Sequence, residues 1–217
     1  LQNAENQGIK LKGIMLGSHG LFTWGDTAYE SYINTLEVIE TCAKYLASNY
    51  GKKRPVFGGV KISEIVSETR QKQAAILAPI LRGFCSSYRP MVGHFTDDEK
   101  VLEFINSEDL SKLAPLGTSC PDHFLRTKIS PLVLDLAPTA DLSDASALKE
   151  KLRPAFVEYR EMYAQYYQNC KHPDSPAMRD PNPVVILYPG IGMFTFAKDK
   201  QTARVASEFY INAINVM

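Results

Sequence analysis

The stretch GIMLGSHGLFTWGD, residues 13–26, sets an apolar run and an aromatic run on either side of a Gly-Ser-His-Gly turn. That pattern predicts two short strands folded back on each other, with Asp26 or Thr27 placed to cap a following helix. Ala28, Tyr32, Leu36, Ile39, Ala43 and Leu46 then recur at helical spacing to about residue 49, giving one apolar face, and Gly51 stops the helix.

Further along, Ile62, Ile65, Val66, Thr69, Gln73, Ile76, Leu77, Ile80 and Leu81 trace a second long helix, which Pro79 should kink. Both helices read as half-buried. PMVGHF and SPLVLDL read as strands, DDEKVLEFIN and SEDLSKLAPLG as short helices. A long amphipathic helix carries Leu148, Leu152, Phe156, Tyr159, Tyr163 and Tyr166 on one side, and VVILYPGIGMFTF with a last helix closes the chain. Strands alternating with helices make the class α/β.

The closing segment echoes the opening one. IMLGSHGLFTW (14–24) laid without gaps on ILYPGIGMFTF (186–196) matches Gly20 to Gly192, Phe22 to Phe194 and Thr23 to Thr195, and sets His19 against Ile191. Each is followed by a Thr-Ala and a helix, after loops that differ by three residues in this reading. An internal duplication is the expectation, with a degenerate copy at 184–217.

The 217 residues are 45% apolar, and 24 basic side chains balance 24 acidic ones, so no net field draws the chain to nucleic acid or an anionic membrane. The longest apolar runs fall far short of the roughly 20 residues that span a bilayer. Cys42, Cys85, Cys120 and Cys170 show no disulfide or metal spacing, so free thiols in a reducing cytoplasm are expected. The start at LQNAENQGIKLK without methionine, and the end inside a helical pattern, read as a piece of a longer protein.

Four residue sets bear on chemistry. A lone histidine is ordinarily structural or solvent-facing, yet His19 at a glycine-flanked strand end can present an imidazole nitrogen into a cleft. PDHFLRTK (121–128) groups Asp122, His123, Arg126 and Lys128. These hold a phosphate or carboxylate if Arg126 and Lys128 face one pocket, whereas in a helix Asp122 and Arg126 could simply pair on the surface. GTSC before it suits a helix N-terminus. Gly190 and Gly192 lack the third glycine of a dinucleotide loop, and a hairpin turn accounts for them better. The tyrosine stripe reads as core or subunit interface.

GIMLGSHGLFTWGDTAYESYINTLEVIETCAKYL resembles the last third of the class II aldolase/adducin head domain. TSCPDHFLRTK and VVILYPGIGMFTFAKDKQTARVASEFYINAINVM resemble more narrowly the middle of the bifunctional rhamnulose-1-phosphate aldolase/short-chain dehydrogenases. The resemblance implies a layered α/β fold whose central sheet, mainly antiparallel or mixed, is flanked by helices. Residues 1–55 would be the end of the aldolase domain and 56–217 the central region.

It also implies zinc held by three histidines, one of them at His19 and two from an upstream H-x-H that this chain lacks, and NAD in a dehydrogenase portion beyond it. A catalytic zinc needs about three protein ligands, so no metal or cofactor is expected on this chain alone. Such a parent would cleave rhamnulose 1-phosphate to dihydroxyacetone phosphate and lactaldehyde, with a sugar phosphate as partner and a homo-oligomer as assembly. His123, Arg126 and Lys128 are its candidate anion-binding residues here. The rival expectation is a non-catalytic assembly module of adducin type.

Overall fold

A computed structural model describes residues 2–17, 19–49 and 55–217. The chain divides into two compact units, Leu1–Pro55 and Val56–Met217.

In the first unit a short helix, α1 (Gln2–Asn6), precedes an antiparallel hairpin of β1 (Gly13–Leu16) and β2 (Gly20–Thr23), then α2 (Ala28–Asn49). Thr27 caps α2, its hydroxyl accepting from the Glu30 amide at 3.1 Å. Gly51 lies outside the described residues.

The half-buried face expected of α2 is not there. Tyr32, Leu36, Ile39 and Leu46 are exposed, and Asn34 is the buried residue of the helix. The side turned to the hairpin is polar instead. Thr23 and Thr35 hydroxyls meet at 2.6 Å, and the Asn34 amide donates to the Trp24 carbonyl at 2.8 Å. Two four-residue strands offer one narrow face, and these hydrogen bonds take it, so the apolar stripe points elsewhere.

The second unit is built on a four-stranded mixed sheet in the order β3 (Val92–Thr96), β6 (Gly192–Ala197), β5 (Val185–Tyr188), β4 (Leu132–Val133). β6 runs antiparallel to both neighbours, while β4 and β5 are parallel. The strand expected in SPLVLDL has only two residues, although the Leu134 amide still donates to the Leu187 carbonyl.

Every residue of β5 and β6 is buried. Alternation sends Ile186, Tyr188, Phe194 and Phe196 into one core with α3 (Ser67–Cys85) and α7 (Ala145–Cys170). It sends Val185, Leu187 and Met193 into another with α4 (Glu99–Ile105) and α8 (Lys200–Val216). A sheet covered on both faces needs such unbroken apolar strands.

α3 begins at Ser67, later than the periodicity suggested, and runs through Pro79 without interruption. Its buried stripe is Arg70, Ala74, Leu77, Leu81 and Cys85, with Ile80 beside it, while Ile76 is exposed. Leu77, Ile80 and Leu81 lie in the core as expected, while towards the N-terminus Arg70 and Ala74 are buried and Thr69 and Gln73 only half-buried.

Asp144 caps α7, accepting from the amides of Ser146 and Ala147 at 2.9 and 3.0 Å. Asp144→Ala should cost about 1 kcal/mol of stability, read as a lower urea midpoint at unchanged slope.

The two hairpin–helix segments match residue for residue. Gly13 pairs with Thr23 and Leu16 with Gly20, as Val185 pairs with Thr195 and Tyr188 with Gly192. The His19 amide donates to Leu16 and the Ile191 amide to Tyr188. The Thr23 hydroxyl donates to the Ser31 carbonyl, and that of Thr195 to Ala203. Thr27 and Asp199 each cap their helix from the third helical amide. The loops before the helices therefore do not differ by three residues, since Ala28 corresponds to Lys200, not to Ala203.

Candidate functional site

His19 sits in the β1–β2 turn, exposed, with its ring 6.3 Å from that of Phe22 and nearly parallel to it. Gly20, at φ 149°, lets the chain reverse there. Among the described residues no three His, Cys, Asp or Glu side chains are grouped so as to hold a metal ion. One imidazole falls short of a catalytic zinc's usual three protein ligands, so the residues present do not fit that metal.

PDHFLRTK forms α6 (Pro121–Thr127), with Lys128 just beyond its end. Among the described residues no ion pair joins Asp122 to Arg126. His123 turns away from its supposed partners. Its ring lies 4.6 Å from Phe209 of α8, with Nδ1 buried and without a hydrogen-bond partner. The helix begins directly after GTSC, as expected, and Cys120 at its N-cap makes no side-chain hydrogen bond.

Arg126 and Lys128 do share a cavity, of about 490 Å³, at the C-terminal end of that helix. Three further cations line it, Arg89 before β3, Arg179 in the loop after α7 and Lys198 after β6, against one carboxylate, Asp180. Sequence reasoning missed these three because they lie far apart along the chain and the order β3–β6–β5 gathers them. Among the described residues none of the five cations is in an ion pair.

Lys128 is the most constrained of them. Its backbone stands at φ 69°, ψ −179°, a region occupied almost solely by glycine and costly to any side chain. Its ammonium lies 3.9 Å over the Tyr163 ring and donates to the Asp180 carbonyl. Burial lowers its pKa to about 8, with Arg179 adding to the effect and Asp180 opposing it.

A second cavity, about 410 Å³, adjoins the first through Leu125, Lys128 and Arg179, and Tyr163, Tyr166 and Tyr167 line it. The tyrosine stripe thus divides. Tyr159 is core, its hydroxyl donating to the Ser130 carbonyl at 2.7 Å, while the later tyrosines form a cavity wall.

A cavity of about 650 Å³ opens where β4 and β5 end and is walled mostly by apolar groups and prolines, with Ser107, Ser130 and Asp135 among its polar residues. The carboxyl ends of parallel strands are where open α/β sheets commonly take ligands.

Residues 72–217 match the family described as aldolase class II, second domain. The chain belongs to this family. It is also similar to the uncharacterized oxidoreductase YuxG of Bacillus subtilis (strain 168), with 30% identity over 204 residues, 94% of this chain and 29% of that protein. The chain therefore spans less than a third of the length of this curated relative. No solved structure matches it. The mixed α/β architecture agrees with the class II aldolase assignment. No helix among the described residues is long and apolar enough to cross a membrane.

Proposed function

We propose that this chain is part of a sugar-phosphate aldolase of the class II family, of the kind joined to a short-chain dehydrogenase. The parent would cleave rhamnulose 1-phosphate to dihydroxyacetone phosphate and lactaldehyde and interconvert lactaldehyde with a nicotinamide cofactor. The observation that carries this is positional. A strand–His19–strand–helix module ends at Asn49, upstream of residues 72–217, which match the aldolase class II second domain.

Residues 1–55 are in this reading the end of the first, catalytic domain, and 56–217 the central region with a degenerate copy of its closing module. His19 would contribute one zinc ligand, the others coming from polypeptide outside this chain, and homo-oligomeric assembly belongs to the same proposal. Ile191, buried in the core at the place matching His19, favours a non-catalytic role for the second unit.

The test is cleavage of rhamnulose 1-phosphate with added zinc. We expect no turnover by the 217-residue chain, the same weak zinc uptake by it and by His19→Ala, and cleavage by the polypeptide extended with its natural flanking sequence. Stoichiometric zinc lost on His19→Ala, turnover by the bare chain, or an inert extended polypeptide would each overturn the reading.

A further inference from the structure

We propose that the two adjoining cavities form a nucleotide site, which takes the phosphates of a nucleoside di- or triphosphate among Arg89, Arg126, Lys128 and Arg179 and its base against Tyr163 and Tyr166. This does not rest on the aldolase reading, and it gives Arg126 and Lys128, anion-binding candidates of the sequence, a ligand of their own.

Charge sets the number of phosphates. The larger cavity gathers five cationic side chains against the single carboxylate of Asp180, while the protein as a whole is neutral. A terminal phosphate brings about −1.5 to −2 at neutral pH and each inner one about −1, so a monophosphate leaves roughly half of that excess unmet, while a di- or triphosphate offsets most or all of it. Arginine forks suit phosphate oxygens, and three of the five cations are arginines.

Shape sets the rest of the ligand. The neighbouring cavity, about 410 Å³, has an aromatic wall in which Tyr163 and Tyr166 rings lie 6.2 Å apart. Aromatic side chains stack on any base because every base has a π face. The cavities meet at Lys128, so a ligand filling both must place the junction of phosphate and nucleoside beside that amine.

Strain supports a binding role for Lys128. Glycine would hold the backbone at φ 69°, ψ −179° without penalty. Lysine is there despite the cost, and its charge is partly desolvated as well. Folding gains nothing from that charge. Between pH 8 and the ordinary lysine value the unfolded chain binds more protons than the folded one, so stability rises with pH across that window.

Titration calorimetry at low salt tests the proposal with ADP, pyrophosphate and adenosine as probes. We expect ADP to bind at least tenfold more tightly than either of the others. Its affinity should fall steeply with salt, and fall again as pH rises through about 8, where Lys128, facing Arg179, Asp180, Arg126 and the Tyr163 ring, loses its proton. Lys128→Gly should weaken ADP at least tenfold while the melting temperature does not fall, and Tyr166→Leu should erase the preference for ADP over pyrophosphate. No heat with ADP, pyrophosphate bound as tightly as ADP, or unchanged ADP binding by Lys128→Gly would overturn it.

Discussion

Gly117→Ala is expected to unfold the second unit or cost it more than about 4 kcal/mol. Gly117 ends the turn after α5 (Leu110–Leu113) at φ 71°, ψ −130°, and a Cβ there would stand 1.9 Å from the Ile129 carbonyl oxygen. Neither party can yield, since both are backbone, and the Ile129 side of the contact leads directly into β4. The left-handed backbone adds its own penalty for any side chain. Gly83→Ala is the control. It lies within α3 with nothing within 4 Å of the added methyl, so it should gain about 0.5–1 kcal/mol. Urea midpoints of the two variants moving in the same direction would refute this account.

Asp97→Ala should cost about 3 kcal/mol, more than removing its partner's charge at the same time. Arg70, on the first turn of α3, is 8% exposed, and its Nε and Nη2 each reach Asp97 Oδ2 at 2.9 Å. It also donates to the Ile65 carbonyl. Deleting the carboxylate strands a guanidinium that water barely reaches, and breaking a buried pair in this way typically costs about 3–5 kcal/mol. The low end applies because the Asp97 side chain is itself 26% exposed and Glu64 lies 3.9 Å from Arg70. Arg70→Met with Asp97→Leu removes both charges and should be the milder change, as apolar replacement of a buried pair often is. A double variant at least as unstable as Asp97→Ala would show that the pair itself, not the stranded charge, holds α3 to the sheet.

What the sequence made legible follows from how local each signal is. The two hairpins and their helices were readable because glycine punctuation and apolar runs lie within a few residues of each other. The buried face of α2 was not, because periodicity reports that a helix has an apolar side and not which side its neighbours use. In α3 the apolar pattern found Leu77, Ile80 and Leu81 but not Arg70, which counts as polar in any pattern and yet is buried. The site divides the same way. Arg126 and Lys128 were visible as a cluster on one turn of chain, whereas Arg89, Arg179 and Lys198 join them only through strand order. His123 was misplaced because nothing in its neighbours announces Phe209 across the packing of α6 on α8.

The close match of the two hairpins carries a lesson about surroundings. Position 191 answers to position 19 in register and in hydrogen bonding, but Ile191 is wholly enclosed where His19 is open. Ile191→His would seal a nitrogen donor among hydrocarbon, at a heavy desolvation cost. One turn geometry thus serves two environments: enclosed, it admits only a hydrocarbon side chain at its tip, and open to water it tolerates an imidazole.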